Sequence, residues 1–298
     1  MHPPLKPLNE QVIVLTGASS GIGLATAQLA AEHGASLVLI SRSGEVLRSL
    51  VEMLEDDGHD AIHVVADVGC REEVERAALQ AMERFGHIDT WVNNAGVSIY
   101  GRLHEVSEAD NRRLFDTNFW GVVNGSLVAL PLLRREGGAL INVGSEVSDA
   151  VVPLQGMYSA SKHAVKGFTD ALRVEVEGID KAPVSITLIQ PTAVDTPFPQ
   201  RARNYTDREP KLPTPRIDPV KVARAILHAA VSGGRDVRVG LMAKLNATAS
   251  QLVPALADRL WARQAGRQHY DQPPADPQGT LHRAGAAGRI HGERPVLH

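Results

Sequence analysis

This sequence has little cysteine, a small net charge and few long apolar runs, and each of these features excludes a class of protein. Cys70 is the only cysteine of 298 residues, so no intrachain disulfide forms, which fits a reducing compartment. The net charge of −3 offers no strong field for nucleic acid or an anionic membrane. The longest uncharged run, residues 117–133, falls short of the ~20 apolar residues of a membrane span. We therefore expect a cytoplasmic protein with no nucleic-acid partner and no transmembrane segment.

Short apolar segments alternate with amphipathic helical segments over most of the chain. Segments typical of strands occur at 11–16, 36–40, 61–66, 89–92, 139–143 and 184–189, and 236–239 is a candidate for a short seventh strand. Such alternation predicts parallel βαβ units with right-handed crossovers. The predicted fold class is α/β: a three-layer, doubly wound parallel sheet of about seven strands (a Rossmann fold) in a single domain.

The regions outside this pattern set the predicted domain boundaries. We predict an N-terminal extension (1–8), one domain (9–240) with a substrate lid (197–215), an amphipathic helix (241–263) interrupted by Pro254, and a disordered tail (264–298). The helix has three open roles: covering the pocket or sheet edge, joining a partner subunit, or lying on a membrane surface. The tail histidines lack the close spacing of metal ligands, so we predict no metal site.

A glycine-rich turn, TGASSGIG, lies between the first predicted strand and the first predicted helix. This context is what makes such a motif indicate dinucleotide binding. Gly17 permits the tight turn, Gly21 lets backbone amides approach a pyrophosphate, and Gly23 lets helix and strand pack closely. The spacing, G-x-x-x-G-x-G, differs from the commoner G-x-G-x-x-G, and an ordinary strand–helix turn is the alternative.

The residue after the second predicted strand bears on cofactor choice. An acidic residue there binds the ribose of NAD, whereas an arginine accommodates the 2′-phosphate of NADP. The chain has Ser41-Arg42-Ser43 and no acid at this point. We therefore predict NADP rather than NAD, with Arg42 on the phosphate; the alternative is a solvated surface charge.

Tyr158 and Lys162 are four residues apart in a predicted helix and so share one face. A nearby fixed cation stabilises a phenolate and lowers the tyrosine pKa from its usual value near ~10. We expect such a lowered pKa to suit Tyr158 for proton transfer at cellular pH.

Taken together, these motifs make residues 9–240 resemble the short-chain dehydrogenase/reductase family in its one-domain form. Tyr158 lies 13 residues after Ser145, and Ser145 lies 27 residues after Asn118, separations similar to those of the family's Asn-Ser-Tyr-Lys tetrad. Thr192 departs from the family pattern, which usually has glycine after the proline. The other motif residues are Thr16-Gly17-x-x-x-Gly21-x-Gly23, Asp67-Val68, Asn93-Asn94-Ala95-Gly96, and Pro191 with Thr196.

The resemblance implies a role for each of these residues. Tyr158 would be the general acid or base, Lys162 would tune its pKa and bind the nicotinamide ribose, and Ser145 would bind the substrate oxygen. Asn118 would hold a water that links Lys162 to solvent. The implied cofactor-binding residues are Gly17, Ser19, Ser20, Gly21, Ile22, Gly23, Arg42, Asp67, Val68, Asn94, Ala95, Gly96, Tyr158, Lys162, Pro191, Val194 and Thr196.

The substrate pocket is expected at the carboxyl ends of the strands, with walls from 97–101, 147–155 and the lid. Val147, Val151, Val152, Leu154 and Met157 favour an apolar carbonyl or alcohol substrate. The resemblance also implies a homodimer or homotetramer formed through the helices that bear Asn118 and Tyr158.

The function predicted is an NADP-dependent oxidoreductase acting on a carbonyl/alcohol pair. One alternative is a dinucleotide-binding sensor or scaffold without turnover, which has no need of Ser145 and Tyr158 together. Another is an epimerase or dehydratase on a nucleotide sugar, since extended relatives share the Tyr-Lys pair but carry a larger C-terminal domain.

Overall fold

Seven strands form one parallel sheet, as the sequence predicts. The computed structural model describes residues 5–286 and 288–292, and the sheet order is β3-β2-β1-β4-β6-β7-β9. The strands of this sheet are β1 (Val12–Thr16), β2 (Ser36–Ser41), β3 (Ala61–Val65), β4 (Thr90–Asn93), β6 (Gly138–Val143), β7 (Val184–Pro191) and β9 (Asp236–Val239). The order reverses direction between β1 and β4, which opens a crevice at the carboxyl ends of these two strands.

Helices cover both faces of the sheet because successive side chains of each strand point to opposite faces. In β1, Ile13 and Leu15 pack in one apolar core, and Val12 and Val14 pack in the other. The first face carries α1 (Gly21–Glu32), α2 (Gly44–Asp56) and α7 (Pro219–Ser232). The second carries α3 (Arg71–Phe85), α5 (Gly121–Glu136) and α6 (Gly156–Arg173). This is the predicted three-layer arrangement.

The predicted helical stretch 107–131 consists of three consecutive segments. Helix α4 (Glu108–Phe115) leads into a π-helical turn (Asp116–Trp120), and α5 continues from Gly121. π-helical turns are rare and frequently lie at functional sites. Asn118 lies in this turn and is completely buried.

The predicted lid contains a short strand that the sequence did not indicate. Strand β8 (Arg203–Asn204) pairs in parallel with β5 (Ile99–Tyr100), which follows β4. The lid is therefore joined by backbone hydrogen bonds to the loop that leaves the central sheet.

The predicted amphipathic stretch 241–263 consists of two helices, divided at Pro254, where the sequence indicates an interruption. Helix α8 (Leu241–Leu252) ends before Pro254, and α9 (Pro254–Gln264) begins at it. Proline lacks the N–H that a helix interior needs but is tolerated in the first turn of a new helix.

The described part of the predicted disordered tail has defined contacts. Pro210 pairs with His269, the Tyr270 amide donates to the Glu209 carbonyl, and Leu281 is completely buried. The tail lacks helical or strand periodicity, yet it is held by partners distant in sequence. The predicted disorder therefore does not hold for residues 264–286 and 288–292, and residues 287 and 293–298 lie outside the described part.

Candidate active site

The glycine-rich turn joins β1 to α1 and packs directly against the turn that follows β4. The Thr16 hydroxyl accepts hydrogen bonds from the amides of Asn94 (2.9 Å) and Ala95 (3.1 Å). A Cβ added at Gly23 would lie 2.1 Å from the Gly17 carbonyl oxygen, so only glycine fits there. These contacts hold the two turns side by side at the point where the sheet order reverses.

Ser145, Tyr158 and Lys162 meet beside this point. Ser145 follows β6, and its side chain lies close enough to the Tyr158 hydroxyl to influence the pKa of that tyrosine. Lys162 lies one turn further along α6, with its Nζ 5.8 Å from the centre of the Tyr158 ring and 2.8 Å from the Val143 carbonyl oxygen, to which it donates. The predicted catalytic trio is therefore assembled from the end of one strand and one face of one helix.

The Asn118 side chain fixes the loop beside this trio. Its Oδ1 accepts from the Val97 amide (2.8 Å), and its Nδ2 donates to the Val97 carbonyl (2.9 Å) and to Ser161 Oγ (3.1 Å). A Cβ at Gly96 would lie 3.6 Å from Asn118 Oδ1 and 3.9 Å from Lys162 Nζ. The side-chain amide thus ties the turn after β4 to α6, close to the lysine.

Burial dominates the electrostatics of the tyrosine and the lysine. Burial raises the pKa of Tyr158 to about 12, an effect that the Ser145 side chain opposes and the nearby Glu146 charge strengthens. Burial alone lowers the pKa of Lys162 to about 8. The expected lowering of the Tyr158 pKa is therefore wrong for this structure: both groups are held toward their neutral forms because both lie away from water.

Arg42 and Asp67 lie at the other end of the cleft, near the carboxyl ends of β2 and β3. Asp67 forms an ion pair with Arg113 and accepts from the Gly69 amide at 3.0 Å. Burial alone would raise the pKa of Asp67, but these hydrogen bonds and the charges of Arg113 and Arg42 hold it below its usual value. The Arg42 guanidinium donates to two backbone carbonyls of the C-terminal segment, Leu281 (3.0 Å) and Thr280 (2.5 Å).

One continuous cleft brings nearly all of the predicted site residues together. Gly23 and Asn118 do not line it; they lie beneath the surface and support it. The predicted residues that line the cleft are Gly17, Ser19, Ser20, Gly21, Ile22, Arg42, Asp67, Val68, Asn94, Ala95, Gly96, Ser145, Tyr158, Lys162, Pro191, Val194 and Thr196. The predicted phosphate and ribose contacts and the predicted catalytic groups therefore lie along a single path.

The wall around Tyr158 contains residues that the sequence reasoning did not single out. The Phe198 ring lies 5.6 Å from the Tyr158 ring, measured between centroids. Glu146 accepts from Thr192 Oγ1 (3.0 Å) and Asn246 Nδ2 (2.9 Å), and Gln155 accepts from Ser98 Oγ (3.0 Å). A polar residue one position from Ser145 was the available signal for Glu146, whereas no local pattern indicates Asn246.

The substrate end of the cleft is mixed rather than wholly apolar. Of the five apolar residues expected there, Val147 and Val152 line the cleft, and Val151, Leu154 and Met157 do not. The lid contributes Pro197, Phe198, Arg201, Leu212 and Pro213, beside the polar Glu146 and Gln155.

A C-terminal cover, defined as residues 279–286 and 288–292, crosses the cleft from Arg42, at the end of β2, to Arg201 of the lid. Thr280, Ala284 and Gly285 line the cleft, and the Gly21 amide donates to the Arg289 carbonyl at 2.9 Å. This part of the site was missed because its partners are about 240 residues apart in sequence.

The donor set fits a nicotinamide dinucleotide. The cleft runs along the strand ends from the Arg42 guanidinium, past the start of α1, to the buried Lys162. It therefore offers cationic donors at both ends and backbone amide donors in the middle. Among the described residues there is no cluster of three metal-ligating side chains, and no described helix is long and apolar enough to cross a membrane.

A parallel sheet with Ser, Tyr and Lys at its switch point defines an oxidoreductase of the Rossmann type, and comparison with known proteins agrees. The model of the short chain dehydrogenase family matches residues 11–206, so the chain belongs to this family. It is 45% identical over 286 residues to an uncharacterized oxidoreductase, YxnA, of Bacillus subtilis, covering 94% of this chain and 80% of that protein.

Two solved structures share the fold. A short-chain dehydrogenase/reductase from Burkholderia phymatum in complex with NAD has a TM-score of 0.72 at 26% identity, covering 92% of this chain and 99% of that one. An alcohol dehydrogenase from Thermococcus sibiricus complexed with 5-hydroxy-NADP has a TM-score of 0.68 at 28% identity, covering 77% of this chain and 95% of that one.

Proposed function

We propose that the protein is an NADP(H)-dependent oxidoreductase that interconverts a carbonyl and an alcohol, with Tyr158 as general acid or base. The observation that carries this proposal is the arrangement of the cleft. Ser145, Tyr158 and Lys162 lie close together at one end, where Tyr158 and Lys162 are buried, and Arg42 lies at the other end. The relatives bound to NAD and to 5-hydroxy-NADP support a nicotinamide dinucleotide without choosing between the two forms.

The dinucleotide would lie between Arg42 and Lys162 and, when bound, would supply or accept the hydride. Arg42 would hold the 2′-phosphate, the turn at Gly17–Ile22 the pyrophosphate, and Lys162 the nicotinamide ribose. Because the two solved relatives are complexed with NAD and 5-hydroxy-NADP, a nicotinamide dinucleotide is the ligand we expect in this cleft. Arg42 is the argument for NADP over NAD.

Tyr158 and Ser145 would act on the substrate oxygen. With its pKa raised to about 12, the Tyr158 phenol is protonated at neutral pH and can donate a proton to a carbonyl oxygen. The Ser145 hydroxyl would donate a hydrogen bond to the same oxygen as negative charge develops on it. Lys162 would stabilise the phenolate left behind, because its Nζ lies against the Tyr158 ring.

The wall around Tyr158 supports an apolar substrate that also carries a polar group. Phe198, Val147 and Val152 offer apolar contact, and Gln155 offers an amide. The cytoplasmic location and the homo-oligomeric state expected from the sequence stay predictions.

The test is NADPH oxidation with a panel of ketones and aldehydes, compared with NADH. We expect turnover with NADPH and a loss of at least about 100-fold in kcat for Tyr158→Phe, with NADPH binding retained by that variant. Tyr270→Phe, which removes the same hydroxyl outside the cleft, is the matched control.

Two outcomes would contradict the proposal. Tight NADPH binding with no turnover of any substrate would favour the sensor or scaffold. A preference for NADH that Arg42→Ala leaves unchanged would show that Arg42 does not hold a 2′-phosphate.

A further inference from the structure

The C-terminal cover presents backbone carbonyls to two groups on which the proposed cofactor site depends. Both guanidinium Nη atoms of Arg42 donate to the cover, one to Leu281 and one to Thr280. The Gly21 amide, in the glycine-rich turn, donates to Arg289. Carbonyl oxygens and phosphate oxygens are both acceptors, so cover and cofactor would use the same donors.

The cover is held in place by the burial of one side chain and by a further hydrogen bond. The Leu281 side chain is 0% exposed and packs among Val97, Ile99 and Leu114. Ser43 Oγ donates to the Gly285 carbonyl at 2.7 Å, so the cover is also tied to the residue next to Arg42.

The lid holds the cover from the other side of the cleft. The Thr280 amide donates to the Arg201 carbonyl at 2.8 Å, and Arg201 Nη1 donates to Ser20 Oγ at 2.5 Å. A Cβ at Gly279 would lie 2.3 Å from the Arg201 carbonyl oxygen, so this close approach of two backbones requires glycine. The cover therefore spans from β2 to the lid across the cofactor cleft.

We propose that the cover competes with the cofactor for Arg42 and Gly21, and that the competition at Arg42 weakens binding of NADP(H) more than binding of NAD(H). This inference rests on the proposed function, since it requires that the cleft takes a dinucleotide. Thr280 and Leu281 are then specificity-determining residues that act through their carbonyls.

The different effect of the cover on NADPH and NADH affinity follows from the contacts that each nucleotide must displace. The 2′-hydroxyl of NADH leaves the two carbonyls on Arg42, so NADH displaces the cover only at Gly21. The 2′-phosphate of NADPH must take Arg42 from both carbonyls, and it can do so because charge-assisted hydrogen bonds are the stronger ones. When the binding-competent state is only partly populated, the apparent Kd equals the intrinsic Kd divided by the populated fraction.

A cover that instead closes over bound cofactor would behave in the opposite way. It would form a wall of the occupied site, and losing it would weaken binding. The direction of the change in affinity therefore separates competition from closure.

Limited trypsin digestion of the full wild-type chain is the first test. Arg283 and Arg289 are exposed in the cover, and cleavage after each is measured by mass spectrometry with and without saturating nucleotide. We expect NADPH to speed cleavage after these residues, and to do so more than NADH does. Protection of the same bonds by NADPH would overturn the proposal.

Titration calorimetry of full-length Leu281→Asp is the second test. A carboxylate cannot remain in the apolar seat unpaired, so the cover should leave. We expect the NADPH Kd to fall by about tenfold, the value of two hydrogen bonds, and the NADH Kd to fall by less. Leu260→Asp changes a leucine of α9 that is 48% exposed and should leave both Kd values unchanged.

The Arg42→Ala background isolates the proposed competition. In that background, Leu281→Asp should change the two Kd values equally. Weaker binding of both nucleotides by Leu281→Asp, or an unchanged NADPH:NADH ratio with Arg42 present, would overturn the cover proposal and leave the proposed function standing. Absence of binding by either nucleotide in wild type and variants alike would overturn the proposed function itself.

Discussion

Burial of Lys162 predicts that the protein becomes more stable as the pH rises above 8. Its side chain is 4% exposed, and burial lowers its pKa from the ordinary 10.5 to about 8. The unfolded chain therefore binds the lysine proton more tightly than the folded chain does. The free energy of unfolding is reduced fully below pH 8 and recovers as the pH rises from about 8 to 10.5.

The difference between 10.5 and about 8 corresponds to about 3 kcal/mol at neutral pH. The linkage relation returns about 1 kcal/mol of this between pH 7 and pH 9, and about 2 kcal/mol by pH 9.5. The raised pKa of Tyr158 acts in the opposite direction, since its stabilisation is lost above pH 10, so measurements below pH 9.5 avoid it.

Urea unfolding of wild type and Lys162→Met, without added nucleotide, measures this effect. The variant loses the hydrogen bond to the Val143 carbonyl at every pH, so the informative quantity is how the difference in unfolding free energy changes with pH. We expect wild type to gain about 2 kcal/mol relative to Lys162→Met between pH 7 and pH 9.5. Lys221→Met, at an exposed position of α7, should show no such change. A constant difference between wild type and Lys162→Met over this range would refute the reasoning.

Three further predictions concern substitutions of single residues. Gly23→Ala should lower the free energy of unfolding by more than about 2 kcal/mol in urea titration, since its Cβ would lie 2.1 Å from a carbonyl oxygen, whereas Gly167→Ala, with open space around it, should raise stability by about 0.5–1 kcal/mol. Glu146→Gln should shift the pH profile of kcat to lower pH, because the Glu146 charge raises the pKa of Tyr158; an unmoved profile would contradict this. Trp120→Glu should reduce the mass of the protein in light scattering if the helices bearing Asn118 and Tyr158 form a subunit contact, since this tryptophan is 52% exposed in the single chain; an unchanged mass would place the contact elsewhere.

Much of the fold could be predicted because its signals are local. Six of the seven strands of the main sheet are short apolar runs, β9 being the exception, and the bounds of all seven shift by only a few residues in the structure. The turn at Gly17–Gly23 and the spacing of Ser145, Tyr158 and Lys162 are likewise short-range features. In a parallel sheet the carboxyl ends of all strands lie at one edge. The positions of the motifs relative to the predicted strands therefore also predict which residues share the cleft.

The electrostatic state of the site could not be predicted from spacing. Tyr158 and Lys162 are one helical turn apart, which led to the expectation of a lowered tyrosine pKa. Burial instead has the largest effect on the pKa of both groups, and burial depends on how α6 packs in the fold rather than on the separation of two residues.

Local patterns in the sequence therefore specify the α/β architecture, the glycine-rich turn and the identities of the groups that could carry chemistry. Only the folded structure establishes the pairing of the lid with β5 and the burial of Leu281 beneath the cleft. It also decided that the carbonyls of Thr280 and Leu281 hold Arg42. The physical reason is that these contacts join segments far apart in sequence, and neither residue periodicity nor local composition records which distant backbone will accept a hydrogen bond.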